Sequence, residues 1–204
     1  MTDAVRVAVA YHGGLGHTRK HAEAVRAGAG SVMGVRSTLV PVEDIDAHWS
    51  HLEAADAIIF GAPTYMGSAS APFKAFMDAS AQTVFARNAW KDKIAAGFTN
   101  AASCSGDKLN TLQQLVIFAA QHGMHWVSLG LPPGHDSSAS KNDSMNRHGY
   151  FLGAAAQSDA DDGADDDATP ADLKTSAYLG ARVARVALQL AAGRAELAKT
   201  ALTA

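Results

Sequence analysis

The sequence predicts an α/β fold, in which a doubly wound, five-stranded parallel sheet of order 2-1-3-4-5 carries helices on both faces. Short, apolar, β-branched runs alternate along the chain with longer stretches of helix-forming residues, and this alternation is typical of a parallel sheet. Turns that contain glycine or proline follow the first and third of these runs. Right-handed crossovers make the doubly wound order the economical arrangement of five strands.

The first half of the chain supplies three strands and two helices. Residues 5–11 are short, β-branched and end at glycines, which indicates a strand. Residues 18–27 are good helix formers without proline. A second strand is expected at 37–42, followed by a short, polar, weakly helical stretch. The apolar run 57–62 predicts a buried third strand, and the spacing of the apolar residues in 71–79 predicts a helix with one face on the core.

The second half of the chain is predicted to finish the sheet with an interrupted strand. Residues 94–99 form the fourth strand, and residues 109–121 form a helix with a regular apolar face. The fifth strand is expected in two parts, 126–129 and 150–156. The segment between them, 130–149, is polar and contains glycine and proline, so we expect an insertion that interrupts the strand.

The last helix has the clearest start signal. Thr169 is a candidate N-cap, Pro170 suits the first helical position, and Asp172 could complete a box-like cap. The helix is expected to run towards Ala192. Before it lies an acidic loop at 157–168, whose like charges favour a solvated segment.

Composition and charge narrow the function classes. The chain has 204 residues, of which 48% are hydrophobic and 18% charged, which suits one folded domain over 1–204. A net charge of -3 without a basic block argues against nucleic-acid binding. The single cysteine excludes a disulfide framework. The first residues lack a signal-peptide pattern and no apolar run is long enough to span a membrane, so we expect a cytoplasmic protein.

The loop after the first strand, residues 12–18, is suited to holding an anion. Its glycines let backbone N–H groups curl around a phosphate, and the next helix adds its positive end. Thr18 adds a hydroxyl. The loop lacks the Gly-Lys-Ser/Thr of a Walker motif, and Arg19 stands where the dinucleotide fingerprint needs a small residue. The alternative interpretation is a glycine-rich tight turn.

The loop after the third strand, residues 61–68, is suited to a planar ring. Pro63 directs the chain away from the strand, and Gly67 permits close approach. Tyr65 and Met66 offer flat or polarizable apolar surface. The alternative is an ordinary connection between a strand and a helix.

The loop after the fourth strand, residues 99–107, is small, polar and rich in backbone donors. These properties suit a sugar-like chain or a ring carbonyl. A phosphatase-type Cys-x5-Arg motif would require arginine at Asn110, so Cys104 is interpreted as a structural thiol. Ligands of doubly wound sheets bind at the carboxyl ends of the strands, where these three loops should meet.

Two patterns that could suggest metal binding are incomplete. His17 and His21 would share one helix face, but Thr18 stands where a His-Glu-x-x-His motif has glutamate. In the aspartate run 159–167, alignment with the EF-hand loop places Thr169 at the position of the bidentate glutamate. We therefore expect no metal site.

Five segments in this order and spacing are together more specific than any one of them: 11–18 (YHGGLGHT), 61–67 (GAPTYMG), 98–102 (FTNAA), 122–124 (HGM) and 149–154 (GYFLGA). The chain resembles the flavodoxin superfamily, and within it the flavodoxin-like NAD(P)H:quinone oxidoreductases related to the tryptophan-repressor-binding protein. The resemblance covers most of the chain. It implies a flavodoxin-like FMN-binding domain, with NADH or NADPH as co-substrate and a quinone or similar small molecule as acceptor.

The resemblance also implies roles for individual residues. His122 would lie beside the flavin, often facing a neighbouring subunit, although a histidine at a helix end can also serve only the helix dipole. Tyr65 would form part of the catalytic surface, and the active protein would be a homodimer or homotetramer. The cofactor-binding residues would be His12, Gly13, Gly14, Leu15, Gly16, His17 and Thr18 for the phosphate, Pro63, Thr64, Tyr65, Met66 and Gly67 for the ring, and Thr99, Asn100, Ala101, Ala102, Ser103, Gly106 and Asp107 for the ring edge and ribityl chain.

One departure from the family pattern affects the cofactor. The family usually has serine or threonine early in the phosphate loop, where this chain has Gly13 or Gly14. We therefore expect weaker retention of FMN. Two alternatives to the enzyme stay open: a flavodoxin-type electron carrier, and an FMN- or phosphate-binding module without catalytic activity. The net charge of -3 favours the enzyme over a strongly acidic carrier.

Overall fold

The computed structural model describes residues 4–138, 140, 143–159 and 168–201. Its strands are β1 (Val5–Tyr11), β2 (Val35–Pro41), β3 (Ala57–Tyr65), β4 (Ser68–Ala69), β5 (Ile94–Ala101), β6 (His125–Trp126) and β7 (Ala154–Gln157). Its helices are α1 (His17–Gly30), α2 (Trp49–Ala54), α3 (Ala71–Thr83), α4 (Lys108–Gln121) and α5 (Pro170–Ala201), with 3-10 turns at Val42–Ala47 and Phe85–Arg87.

The sheet confirms the predicted doubly wound order. Its parallel strands run β2-β1-β3-β5, and both β6 and β7 pair with the outer edge of β5. Strand β6 pairs with Ile94 and Ala95 at the start of β5, and β7 pairs with the stretch from Phe98 to Ala101 at its end. The fifth strand is therefore interrupted, as the sequence predicts. The short β4 folds back antiparallel onto the end of β3.

Hydrophobic side chains cover both faces of the sheet, because successive strand residues point to opposite sides. Val7 and Val9 of β1 belong to a core under α1 and α5, whereas Ala8 and Ala10 belong to a core under α3 and α4. The second core is rich in aromatic rings, including Phe60, Phe73, Phe76, Trp90 and Phe118, all of them buried. Burial of both faces leaves the ends of the strands as the places where a ligand can reach the sheet.

Two strands extend further than the sequence predicts. Strand β3 continues from Ala62 to Tyr65 because its end pairs with β4 in a hairpin. Strand β5 continues to Ala101 because β7 pairs with its last residues. Residues that the sequence predicts to contact the ligand therefore lie on hydrogen-bonded strands at both extensions.

The predicted hydroxyl cap of the last helix is wrong. The Thr169 Oγ1 atom is buried and has no hydrogen-bond partner within the described part of the chain. The backbone carbonyl of Thr169 instead accepts hydrogen bonds from the amides of Asp172 and Leu173. The Asp172 carboxylate points away from the cap, towards Arg147, His148 and the Gln157 amide. The helix also extends to Ala201, beyond the expected end at Ala192.

Asn146, a described residue of the segment 130–149, contacts the first turns of α5. The Asn146 amide donates to Thr175 Oγ1 at 2.8 Å, and its side chain donates to the carbonyls of Leu131 and Pro132. Of the acidic loop predicted at 157–168, residues 160–167 lie outside the described residues. In the part of the chain that the structure describes, no helix is long and apolar enough to cross a membrane.

Candidate functional site

A cleft of about 490 Å³ opens at the carboxyl end of the sheet. Its volume lies in the range of about 300–1,000 Å³ that is typical of small-molecule sites. The three loops that the sequence singled out meet there. The lining residues are Leu15, His17, Thr18, Pro63, Thr64, Tyr65, Met66, Gly67, Asn100, Ala101, Ala102, Ser103, Gly106, Asp107, Ser158 and Asp159.

The first loop, which borders this cleft through Leu15, has backbone donors without a partner in the described chain. Gly14 and Gly16 have positive φ values of 57° and 108°, which non-glycine residues adopt only at a cost. The Gly16 amide donates to the Gly13 carbonyl, whereas the amides of Gly14 and Leu15 make no hydrogen bond to any described residue. The first amides of α1 follow directly. A helix N-terminus beside free loop amides is an anion-binding arrangement.

Several predicted ligands of the first loop support it from behind and do not line the cleft. His12 Nδ1 lies 2.8 Å from Ser70 Oγ, and His12 Nε2 lies 3.5 Å from a Glu43 oxygen. The Gly13 amide donates to the same Glu43 oxygen at 3.4 Å. His12, Gly13, Gly14 and Gly16 are absent from the described lining. The His12 ring and the Gly13 amide tie the start of the loop to residues that follow β2 and β4.

The second loop is the tip of the β3–β4 hairpin. Met66 and Gly67 have positive φ values of 48° and 79°, the pattern of a type I′ turn. Met66 is fully exposed at the tip, and Tyr65 is 45% exposed. Both residues line the cleft. The hairpin therefore holds an apolar surface over the cleft in a backbone conformation that is uncommon for methionine.

Three threonine hydroxyls connect the elements beneath the cleft. Thr64 Oγ1 donates to Thr111 Oγ1 at 2.8 Å and lies 2.7 Å from Thr99 Oγ1. Thr99 Oγ1 also donates to the Ala62 carbonyl. Thr99 is buried and is absent from the described lining, although the sequence placed it among the cofactor contacts. These hydroxyls join β3, β5 and α4 and keep the floor of the cleft rigid.

Ser158 and Asp159 line the cleft and were not predicted. Ser158 Oγ donates to Asn100 Oδ1 at 3.2 Å, which joins the ends of β7 and β5. Both residues follow the second part of the interrupted strand. The rule that ligands lie beyond strand carboxyl ends also applies to this strand, so the signal was present in the sequence.

A buried charged cluster lies behind this rim. Lys108, at the start of α4, donates from Nζ to the Ala156 carbonyl at 2.8 Å, and burial lowers its pKa from 10.5 to about 8. The Asp172 carboxylate accepts two hydrogen bonds of 2.8 Å from Arg147. It also accepts the Gln157 amide at 3.1 Å. These contacts hold the end of β7, and with it Ser158 and Asp159, against α5.

The residues present fit a phosphorylated flavin. The Nε2 atom of His17, a lining residue, is buried and has no partner among the described residues, and a buried polar atom without a partner is rare unless a ligand or water satisfies it. A Cβ on Gly14 would lie 2.6 Å from Tyr65 Oη, so the lack of a side chain at this position lets the hairpin approach the first loop. Free amides, an imidazole and an apolar hairpin are the groups that a phosphate and a planar ring require.

His122 is not brought to the cleft of its own chain. It directly follows α4, a 14-residue helix that is about 21 Å long. Asp107, which directly precedes this helix, lines the cleft. Its ring packs 4.5 Å from the ring of Trp90, centre to centre, and its Nε2 lies 3.0 Å from Ser80 Oγ. It lines a separate surface cleft between α3 and α4. Within one chain, His122 is therefore a core residue at the end of the helix opposite the cleft.

The burial of His122 gives a pH-dependent stability that can be measured. Burial lowers the pKa of His122 from 6.5 to about 4, so the unfolded chain binds more protons between these values. The free energy of unfolding should fall by up to roughly 3 kcal/mol as the pH drops through this window. The variant His122→Gln should lose this dependence in urea unfolding at a series of pH values. The matched variant His125→Gln removes an exposed histidine and should keep the pH dependence. An equal loss of the pH dependence in both variants would contradict the assignment to His122.

Comparisons with known proteins identify the family of the chain. The model of the "NADPH-dependent FMN reductase" family matches residues 40–132. "Flavodoxin FldP" of Pseudomonas aeruginosa is 43% identical over 190 residues, which covers 91% of this chain and 98% of the relative. A protein of Archaeoglobus fulgidus named "NAD(P)H dehydrogenase (quinone)" is 30% identical over 207 residues, which covers 91% and 98%.

A solved structure agrees with these relatives. The crystal structure of a flavodoxin, WrbA-like protein from Agrobacterium tumefaciens superimposes with a TM-score of 0.71 and is 42% identical, covering 91% of this chain and 98% of that one. The similarity to these proteins therefore extends over 91% of the chain in each comparison. The chain belongs to the WrbA-like family of flavodoxin-fold proteins, which are FMN-binding, NAD(P)H-dependent reductases.

Proposed function

We propose that this protein is an FMN-dependent oxidoreductase that uses NADH or NADPH to reduce a quinone or a similar small acceptor. FMN, when bound, supplies the hydride chemistry by accepting a hydride from the nicotinamide and passing it to the acceptor. The protein supplies the position of the ring and the electrostatics around it. The relative named NAD(P)H dehydrogenase (quinone) supports this class of reaction.

One observation carries the choice of an enzyme over an electron carrier. Tyr65 is the only phenylalanine, tyrosine or tryptophan among the described residues that line the cleft. Trp90, the tryptophan nearest in sequence to the start of β5, is fully buried in the core. A carrier encloses its flavin between aromatic rings, whereas an enzyme with two substrates needs one ring face open. The sparse aromatic lining therefore favours turnover of small molecules.

None of the residues in the three loops needs to act as a strong acid or base, because the cofactor would supply the hydride chemistry. The free amides of the first loop, together with His17 and Thr18, would hold the FMN phosphate. The hairpin surface of Tyr65 and Met66 would support the nicotinamide and then the quinone. Because both substrates would use one surface, we expect ping-pong kinetics.

We also propose that the active species is a homodimer or homotetramer. The cleft is open, and two large apolar side chains at its rim, Leu15 and Met66, are 80% and 102% exposed. Exposed apolar groups around a site indicate a surface that a partner or a substrate covers. The mass of the active species in solution, measured by light scattering, tests this part of the proposal.

An electron carrier is the second candidate, because the relative at 43% identity is named a flavodoxin. A carrier would take up FMN but would not turn over NAD(P)H with a quinone. A module without catalytic activity, the third possibility, would bind phosphate or FMN and show no redox exchange.

One experiment separates these functions. The purified protein is titrated with FMN, and the complex is mixed with NADH or NADPH and benzoquinone while the nicotinamide absorbance is followed. We expect consumption of the nicotinamide well above that with free FMN, and parallel lines in double-reciprocal plots. Uptake of FMN without consumption of the nicotinamide would identify a carrier. Absence of FMN uptake would contradict the proposed cofactor.

A further inference from the structure

The side chain of Tyr65 crosses from the hairpin to the phosphate loop. A Cβ built on Gly14 would lie 2.6 Å from Tyr65 Oη and 3.4 Å from Pro63 Cγ. Pro63 and Tyr65 are two residues apart on β3 and so point to the same side. The phenol oxygen therefore lies at the glycine turn of the first loop and not at the exposed tip of the hairpin.

This phenol has a free hydrogen-bonding group at the anion site. Tyr65 Oη makes no hydrogen bond with any residue that the structure describes. The amides of Gly14 and Leu15 beside it are also without partners in the described chain. Hydroxyl groups donate to phosphate oxygens, and such bonds to a charged acceptor are stronger than neutral ones.

The same loop has no hydroxyl of its own at positions 13 and 14. Among the described residues that line the cleft, none is lysine or arginine. A phosphate held here would depend on amides, on the N-terminus of α1 and on the few neutral side chains that reach it. A donor that arrives from another loop would then account for a measurable share of the affinity.

We propose that the Tyr65 hydroxyl is a phosphate ligand that replaces the missing hydroxyl of the first loop, so that Tyr65 determines the preference for FMN over riboflavin. This inference rests on the proposed FMN function. The hydroxyl of Tyr65 would then contact the FMN phosphate, while the aromatic ring of Tyr65 would still form a wall of the cleft beside the flavin. A Cβ at position 14 would displace the phenol, in addition to the strain from the positive φ of Gly14.

The neighbouring glycine offers a way to test the replacement. A Cβ on Gly13 would meet only Arg19 Cβ and Tyr11 Cε2, both at 3.8 Å, which is ordinary contact, and Gly13 does not have a positive φ. Serine can therefore enter at position 13 without strain. Its hydroxyl would lie one residue from Gly14, where the Tyr65 phenol lies.

The experiment measures dissociation constants of FMN and riboflavin by quenching of flavin fluorescence. The variants are Tyr65→Phe, Tyr65→Phe with Gly13→Ser, and the matched control Tyr178→Phe, whose hydroxyl lies at Gly130. We expect Tyr65→Phe to raise the Kd of FMN about 10-fold or more and to leave that of riboflavin unchanged. Adding Gly13→Ser should restore most of the affinity for FMN, and Tyr178→Phe should change neither constant.

The outcomes distinguish the inference from the function on which it rests. Equal weakening of FMN and riboflavin in Tyr65→Phe would place the phenol at the ring and overturn the inference. An unchanged FMN constant, or no recovery with Gly13→Ser, would also overturn it. If the wild-type protein binds neither flavin, the proposed function itself fails.

Discussion

The variant Asp172→Ala is expected to lose about 3–5 kcal/mol of unfolding free energy, because removal of one partner leaves other buried charges uncompensated. Asp172 is 1% exposed. Its carboxylate accepts both hydrogen bonds of a bidentate pair with Arg147, and His148 Nε2 lies 3.4 Å away. The negative charge of Asp172 also favours the protonated form of the buried Lys108, because it raises the pKa of the lysine.

The pH dependence of this stability has a defined sign. Burial alone would raise the pKa of the Asp172 carboxyl, but hydrogen bonds from His148, Arg147 and the Gln157 amide outweigh burial and hold the pKa below its usual 3.8. A carboxyl with a lowered pKa stabilises the folded state above the unfolded-state pKa. That contribution is lost as the pH falls below about 4. The wild-type protein should show this acid loss, and Asp172→Ala should not.

The measurement is urea unfolding of Asp172→Ala beside Asp78→Ala. Asp78 pairs with Lys74 on the exposed face of α3, and exposed pairs contribute about 0–1 kcal/mol. Asp172→Ala should also weaken FMN binding, because Asp172 holds the Gln157 amide next to the cleft residues Ser158 and Asp159. Equal effects of the two alanine variants would show that the buried cluster does not stabilise the fold.

The variant Gly180→Ala is expected to destabilise the protein by about 3 kcal/mol, at the upper end of typical overpacking. A Cβ on Gly180 of α5 would lie 2.0 Å from the Val25 carbonyl oxygen, and one on Gly28 of α1 would lie 1.9 Å from the Ala177 carbonyl oxygen. The two helices therefore touch backbone to backbone at these glycines. A methyl group can enter only if one helix moves.

Gly193→Ala on the same helix is the matched control. A Cβ at Gly193 meets nothing within 4 Å, so alanine should stabilise the helix by about 0.5–1 kcal/mol. Denaturant unfolding of both variants should give shifts of opposite sign. Because α1 begins at the phosphate loop, its displacement in Gly180→Ala should also weaken FMN binding. A stabilising effect at both positions would contradict the close helix contact.

Most of the fold could be predicted because its signals are local. The apolar runs of β1, β3 and β5 and the interrupted fifth strand were visible in the sequence, and their order follows from general rules of parallel sheets. The ends of β3 and β5 were predicted too early. Their last residues pair with β4 and β7, and such pairing depends on partners that are distant or follow a turn.

The site was predicted less completely than the fold. Strand order correctly indicated which loops meet, so the segments around Thr18, Tyr65 and Asn100 all line one cleft. It did not indicate which face of each loop points inwards. Thr99 is buried beneath the cleft, and His12 lies behind the first loop. These differences depend on side-chain direction, which a short motif does not specify.

The sequence by itself determined the parallel sheet, its order and the edge at which the three loops form a cleft, because periodicity and turn residues act over short stretches of chain. Only the tertiary structure decided that His122 lies at the opposite end of α4, that Ser158 and Asp159 complete the rim, and that the Tyr65 phenol meets Gly14. The reason is physical. Each of these placements depends on the length of a helix, the register of a strand or the reach of a side chain between segments that are far apart in the sequence.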